Sequence, residues 1–316
     1  MGSILMKNFA LKSKFYLLHK NIGIDLLDMP IIWLTFSGLR CIIIGIEKTH
    51  GFLAKIGIYS GGKIMNIKWD ADKYTADFSF VHQYGNGVIE LIDADKNSSV
   101  LDLGCGNGAL TKALQEKGYL VKGLDSSNDL LKIAKEKYPN IEFLHGDATN
   151  FTLSESVDVV FSNAVFHWIN LELQQDMLKC VYTALKKNGQ FVFEFGGYGN
   201  NQLIHSALET IFSEYGYCYK MPFYFPTISE YASLLENTGF RVKYAVLFDR
   251  PTELKGENGL KDWINMFVKT PFSIVETEPV KESIIDKAIE LLRSELYIDN
   301  KWYADYVRIR MKAIRL

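Results

Sequence analysis

From residue 99 onward, short apolar runs alternate with stretches whose apolar positions recur every three or four residues. SVLDL at Ser99–Leu103 stops at Gly104, and ALTKALQEK at 109–117 then carries helical spacing. YLVKGL at 119–124 reads as a strand, and NDLLKIAKEK at Asn128–Lys137 as a helix capped by Ser127 or Asn128. Residues 141–145 are a third expected strand and 157–162 (VDVVFS) a fourth. A long amphipathic helix at 171–187 leads to a fifth strand at 190–195 (QFVFEF), which Gly196 and Gly197 end. Strands alternating with helices at this spacing imply βαβ units around a parallel sheet, and the nearly continuous apolar runs fit strands covered on both faces.

Beyond residue 200 the pattern thins. Ile228–Thr238 reads as a helix stopped by Gly239, residues 240–248 as a sixth strand, and 256–300 as largely helical, with Trp263, Ile264 and Phe267 at one-turn spacing. At 306–313 the period changes to two. Val307, Ile309, Met311 and Ala313 alternate with Arg308, Arg310 and Lys312, which predicts a half-exposed final strand.

The first 64 residues follow no such rhythm. They hold eight Lys/Arg and three Asp/Glu, a net of +5, which leaves −7 on the rest of a chain whose total is −2. The break coincides with the change of pattern, so a boundary falls between an N-terminal extension (1–64) and a catalytic domain (65–316). Residues 29–46 (MPIIWLTFSGLRCIIIGI) are apolar apart from Arg40. Three readings stand open: a weak signal anchor, a packing extension, and upstream sequence ahead of a natural start at Met65. A central Arg costs the first of these about 2.5–3.5 kcal/mol on insertion scales.

Composition narrows the function classes. A net charge of −2 over 316 residues argues against a general nucleic-acid binder. Cys41, Cys105, Cys180 and Cys218 form neither a CxxC pair nor a Cys/His cluster, so no metal site and no disulfide framework is expected, and a reduced, cytoplasmic setting fits.

The chemistry concentrates at 100–108, VLDLGCGNG. Here a strand runs into Gly104, Gly106 and Gly108 and then directly into a helix. Such a turn lets the backbone approach a ligand with no Cβ in the way, and the helix start offers unsatisfied N–H groups. Dinucleotide enzymes use a similar turn, but their G-x-G-x-x-G spacing differs, and Asp102 inside the strand would repel a pyrophosphate. Beside a sulfonium and an amino group the same charge attracts. Asp125, 21 positions after Gly104, is placed to accept hydrogen bonds from ribose hydroxyls, and Ser126 follows it. Asp147 ends the third strand, where it and Ala148 can meet an adenine ring. Asn163, His167 and Trp168 (SNAVFHWI) come to the same edge from the fourth. Each has a structural alternative: Asp125 as a helix cap, Asp147 as a turn residue, His167 and Trp168 as packing groups, Cys105 as filler.

VLDLGCGNG, GLDSS, GDAT and SNAVFHW together resemble the motifs of class I S-adenosylmethionine-dependent methyltransferases. Residues 65–316 are similar to the trans-aconitate methyltransferase-like group of small-molecule enzymes, through WDADKY (Trp69 to Tyr74), FEFGGYGN (with Glu194, Gly196 and Gly197) and the later FPTISEYASLLENTGF and WYADYVRIRMKA segments. The resemblance implies an α/β, Rossmann-like, doubly wound seven-stranded sheet, mostly parallel with an antiparallel last strand. It also implies a helical lid insert at about 251–305, with 69–80 closing over the substrate. Asp102, Gly104, Gly106 and Asn107 would line the methionine part of the cofactor, Asp125 and Ser126 the ribose, Asp147 and Ala148 the adenine, and Asn163 and Trp168 the sulfonium side. Tyr74 would close over the cofactor.

Methyl transfer from a sulfonium is an in-line displacement that needs alignment more than acid–base help. Where the acceptor is a neutral hydroxyl, amine or carbon acid, His167 is the first candidate base, with Tyr74 as a positioning group. A carboxylate acceptor, giving O-methylation of an organic acid, needs no base. Arg241, Lys243 and Arg250 would suit such an acid, while Trp263, Phe267 and Phe272 suit an apolar acceptor. A non-catalytic S-adenosylmethionine-binding protein and a nucleotide-dependent oxidoreductase are the competing classes.

Overall fold

The computed structural model describes residues 31–36, 39–44, 57–58 and 80–316. The chain divides into two compact units, 1–65 and 66–316. In the first, β1 (Ile31–Phe36), β2 (Leu39–Ile44) and β3 (Gly57–Ile58) pair antiparallel in that order, with Ile31 opposite Ile44 and Phe36 opposite Leu39. The described part of the 29–46 stretch is thus a pair of strands and not the helix a signal anchor needs. No described helix is long and apolar enough to cross a membrane.

The described part of the second unit begins with α1 (Phe80–Ile89) and then alternates: β4 (Ser99–Leu103), α2 (Ala109–Glu116), β5 (Leu120–Asp125), α3 (Asn128–Lys137), β6 (Glu142–His145), β7 (Val157–Asn163), α4 (Leu171–Ala184) and β8 (Leu185–Gly196). There follow α5 (Gln202–Glu214), α6 (Ile228–Thr238), β9 (Phe240–Leu254), α7 (Gly259–Phe267), α8 (Lys269–Phe272), α9 (Glu278–Leu296), the two-residue β10 (Tyr297–Ile298) and β11 (Lys301–Arg315). The principal strands lie in the order β9-β11-β8-β7-β4-β5-β6. Those from β8 to β6 are mutually parallel, and β11 runs antiparallel to both of its neighbours. This is the parallel sheet that the alternation predicted, in the doubly wound form with an antiparallel last strand that the resemblance implied. The chain steps outward from β4 to β6 and returns to β7 on the other side of β4, so the strand order reverses there. Ligands bind in the crevice at such a switch point.

Side-chain alternation assigns the layers. Val100, Phe161 and Val192 face Ile89 of α1 and Leu114 of α2, while Leu101, Leu103 and Phe193 face Leu178 of α4 and Tyr231 of α6. Phe191, Phe193 and Phe195 are fully buried on that second face, each contributing roughly 1.5–3 kcal/mol. Helix ends follow the sequence signals. Ser127 Oγ accepts the Leu130 N–H, and Thr227 and Glu230 form a reciprocal cap on α6, which ends at Gly239 with φ 106°.

Three boundaries differ from expectation. The long amphipathic helix stops at Ala184, because Leu185 already pairs with Val157. β9 continues six residues past 248 and β11 begins five residues before 306, so helices occupy only 259–296 of the expected 251–305 insert. The extra lengths pair with each other, Trp302 with Leu254 and Asp305 with Pro251. Pro251 is tolerated in β9 because this is an edge strand, where a missing N–H breaks no ladder. On this ribbon Trp302, Ala304 and Tyr306 pack against Trp263 and Ile264 of α7 and Ile284 of α9, forming a separate apolar cluster.

Candidate active site

β4 delivers the chain into a turn where Gly104, Gly106 and Gly108 all have positive φ, at 77°, 54° and 79°. At Gly104 an added Cβ would collide with the Val165 side chain, and at Gly108 it would lie 2.7 Å from Phe143. Gly106 is different: the nearest atom to an added Cβ is Leu130 Cδ1 at 3.9 Å. Two of the glycines serve packing, and the third leaves open space beside backbone that a ligand can approach.

The acids stand around this turn. Asp102 is 2 % exposed and accepts a 2.6 Å hydrogen bond from Thr111 Oγ1 at the start of α2. Burial pushes its carboxyl up to about 7; the Thr111 hydroxyl opposes the rise and the nearby Asp125 charge adds to it. Asp125, at the end of β5, accepts the Gly106 N–H at 2.8 Å on one oxygen and the Ser127 N–H at 2.7 Å on the other. Its carboxyl is also raised by burial, against the pull of those N–H groups. A buried acid held near neutrality beside a second acid is poised for a cationic ligand, which would restore its charge.

The remaining expected residues fall at the same sheet edge. Ser126 is exposed, and its carbonyl accepts from His145 Nε2 at 3.1 Å. Asn107 is buried, and its Oδ1 accepts the Ala109 N–H at 3.3 Å. Asp147, just past β6, is partly engaged in a local turn: Oδ1 accepts both the N–H and the hydroxyl of Thr149 at 2.8 Å. Ala148 next to it packs against the sheet. β4, β5 and β6 are adjacent, and each acid lies about two residues further along its strand than the one before: Asp102 pairs with Gly123, and Asp125 with His145. Tyr74 and most of the 69–80 segment lie outside the described residues.

β7 builds the other half. Asn163 pairs in register with Glu194, and Ala164 then takes φ 60°, its N–H bonded to the Glu194 carbonyl at 2.7 Å. A left-handed alanine is strained and turns the chain sharply at the switch point. The 3-10 turn Phe166–Trp168 is pinned from below: buried Gln174 on α4 donates at 2.8 Å to the carbonyls of both Phe166 and Ile169. So positioned, His167 is 8 % exposed, and its Nδ1 accepts the Gly196 N–H at 3.3 Å. Burial, reinforced by the Arg308 charge, holds its pKa well below the ordinary histidine value. The ring is therefore neutral at physiological pH. Trp168 stands edge-on to Phe223 at 4.8 Å.

Two cavities open here, sharing Ala164 and Arg308. The smaller, about 230 Å³, includes Tyr84, Asn163, Glu194 and Arg250 in its wall. The larger, about 430 Å³, is walled by His167, Trp168, Phe223, Phe225, Trp263 and Tyr306, among others. Glu194 is held bidentately by Arg250, at 2.5 and 3.0 Å, and also by Arg310 at 2.7 Å. Arg310 in turn donates to the Gly87 carbonyl of α1. Arg308 is 7 % exposed and stacks over the Tyr306 ring at 4.2 Å. Of the basic residues singled out near the sixth strand, Arg250 reaches a cavity, while Arg241 and Lys243 are exposed.

Arg308 is the residue that the alternation misplaced. Along β11 the buried positions are even up to 308 (Trp302, Ala304, Tyr306, Arg308) and odd from 309 (Ile309, Met311, Ala313). The strand leaves the helical insert and enters the main sheet there, and the buried face changes with it. A two-residue phase reversal with an arginine at its centre was the available signal. Among the described residues no group of His, Cys, Asp or Glu could hold a metal ion.

These features define a Rossmann-like transferase site with an acid-rimmed cofactor edge. Residues 100–189 match the methyltransferase domain family. An uncharacterized methyltransferase from Schizosaccharomyces pombe is 31 % identical over 258 residues, covering 78 % of this chain and 97 % of its own length. Trans-aconitate 2-methyltransferase of Mycobacterium tuberculosis is 27 % identical over 238 residues, covering 72 % of this chain and 85 % of its own. A solved structure from Bacillus halodurans C-125, assigned as a methyltransferase, superimposes with a TM-score of 0.53 over 74 % of this chain and 99 % of its own, at 17 % identity. The chain belongs to the methyltransferase family, and its cofactor is S-adenosylmethionine.

Proposed function

We propose that this methyltransferase esterifies a small organic acid, whose carboxylate is held by Arg308 beside Ala164. The observation that carries the reading is a buried guanidinium where two cavities meet, next to a histidine that burial keeps neutral. A carboxylate is ionised at neutral pH and needs no base to become a nucleophile. An amine or phenol acceptor is better served by a base, and His167 is a poor one, so His167 serves as a wall of the pocket. The relative from Mycobacterium tuberculosis, named for an organic acid, supports the same class.

The cofactor edge fits its ligand on one further ground: Asp102 is a buried acid raised to about 7, so a cation beside it is favoured. When bound, the cofactor supplies a methyl group already activated on a sulfonium. Asp102, Gly104, Gly106 and Asn107 hold its amino-acid end. Asp125 and Ser126 meet the ribose, Asp147 and Ala148 the adenine, and Asn163 and Trp168 face the sulfonium. The free thiols of Cys105, Cys180 and Cys218 suit a reduced, cytoplasmic setting.

The test is incubation with methyl-labelled S-adenosylmethionine and a panel of organic acids, phenols and amines. Label should appear in acids, and Arg308→Met should lower kcat/KM by about 100-fold, as for the loss of a charge-assisted contact. Label in amines or phenols alone would contradict the proposal. Tight cofactor binding with no product from any acceptor would favour a binding protein.

A further inference from the structure

Four residues of the larger cavity's wall meet at one glycine. Gly196 ends β8 and pairs with Arg308 of β11. Its N–H donates to His167 Nδ1 at 3.3 Å. A Cβ added to it would lie 2.5 Å from Phe225 Cε1 and 3.1 Å from Asn200 Cγ. A side chain at 196 would displace the ring and the amide together, so glycine is what lets both sit here. His167, Asn200, Phe225 and Arg308 all line the larger cavity, and the Asn200 amide is packed into its wall beside the histidine.

Two of these side chains are oriented in the same way, each by a backbone N–H that takes up its acceptor atom. Asn200 Oδ1 accepts the Val307 N–H at 3.0 Å, and the Asn200 N–H bonds the Gly197 carbonyl at 3.0 Å. An amide whose oxygen is engaged in this way presents its NH2, a pair of donors, on the other side. His167 Nδ1 accepts the Gly196 N–H, and burial keeps the ring neutral. A neutral imidazole carries one N–H, so the proton sits on Nε2. Among the described residues neither Asn200 Nδ2 nor His167 Nε2 has a hydrogen-bond partner. The fully buried polar side-chain atoms that lack a partner lie elsewhere, on Asn201, His205, Asp305 and Arg315, so these two nitrogens keep accessible surface. Each residue is otherwise buried, and each lines the cavity.

From this pair of neighbouring side chains whose acceptor atoms are spent on backbone N–H groups, we infer that Asn200 Nδ2 and His167 Nε2 form a two-donor cradle for an oxygen of the methyl acceptor. Asn200 is the specificity-determining residue of the pair. The inference rests on the esterification reading and names the groups that select an acid. A hydrogen bond to an ionised oxygen is about twice as strong as one between neutral groups. An ammonium group has donors only, and these two nitrogens offer it nothing to donate to. The cradle therefore favours a carboxylate over an amine without moving a proton. It gives His167 a part in substrate selection that needs no basicity.

The test variant is Asn200→Asp, which keeps an oxygen for the Val307 N–H and replaces the NH2 by a second oxygen. Binding of 3-phenylpropionate and of trans-aconitate to the full-length protein should be measured by calorimetry with S-adenosylhomocysteine present, beside the labelling assay. For the better-bound acid, Asn200→Asp should raise Kd and lower kcat/KM by about 30-fold or more, while S-adenosylmethionine affinity and melting temperature stay native. A merely structural Asn200 would give no change in acid affinity, because the Val307 bond is kept. That outcome would overturn the inference and leave carboxylate esterification standing. Should the variant fail to fold, His167 decides. His167→Gln keeps a donor near the Nε2 position and should retain most of the affinity, whereas His167→Leu should lose about tenfold or more. Equal acid affinities in those two variants would overturn the inference. Label in amines or phenols alone, or no binding of either acid, would remove the cradle and the esterification reading together.

Discussion

The two halves of the site carry opposite charge. Around the glycine turn stand Asp102 and Asp125, whose carboxyls burial raises, with Asp147 further along the rim. Across the switch point stand Arg250, Arg308 and Arg310, with Glu194 as the buried acid among them. The acid half is poised for a cationic ligand. The basic half holds its acid tightly and keeps a guanidinium at the cavity junction. A cationic methyl donor and an anionic acceptor placed between the halves would each face its complement, and transfer would neutralise both.

The largest effect should come from breaking the basic half. Glu194→Gln leaves Arg250 and Arg310 buried without their shared counter-charge and should cost about 3–5 kcal/mol of stability, read from urea midpoints. A cost below about 1 kcal/mol would mean that water reaches the cluster. In the acid half, Asp125→Ala should weaken S-adenosylmethionine binding by roughly 1–3 kcal/mol in calorimetry. Unchanged affinity would remove Asp125 from the ribose.

The pH dependence sharpens the contrast. With its carboxyl raised from 3.8 to about 7, Asp102 retains a proton in the ligand-free fold that the unfolded chain has lost. Its contribution to folding stability is therefore present at low pH and declines as pH rises from about 4 through about 7. Cofactor binding favours the ionised form, so affinity should fall about tenfold from pH 8 to pH 6. Asp102→Asn should flatten that profile, and a native profile already flat across this range would contradict the assignment. The smallest effect is expected at the switch point: Ala164→Gly relieves a left-handed alanine and should raise stability by less than about 1 kcal/mol in a thermal melt.

The acid half was readable in the sequence because its parts are local. Residues 100–148 contain the turn and all three acids, and each acid falls at the end of an apolar run whose strand character is plain. Even there the sequence was silent on which glycines serve packing, since only the fold brings Val165 against Gly104 and Phe143 against Gly108. The basic half is assembled from α1, β7, β8, β9, β11 and the 223–225 loop, and no short window holds two of its key residues except Arg308 and Arg310. The alternation at 306–313 grouped those two on one half-exposed face, whereas the face changes at 308 and buries Arg308. The length of β9 beyond 248 depends on an edge position that tolerates Pro251, which no local signal reports. The membrane reading of 29–46 rested on apolar content alone, which does not distinguish a helix from the paired strands β1 and β2.

The most direct test of the opposed-charge account is the chemical fate of the transferred methyl. Labelled product from the native protein should release its label as volatile methanol in mild base, as an ester does. Label that stays bound through the same treatment would place the methyl on nitrogen, carbon or a phenolic oxygen, and the role given to Arg308 would be wrong.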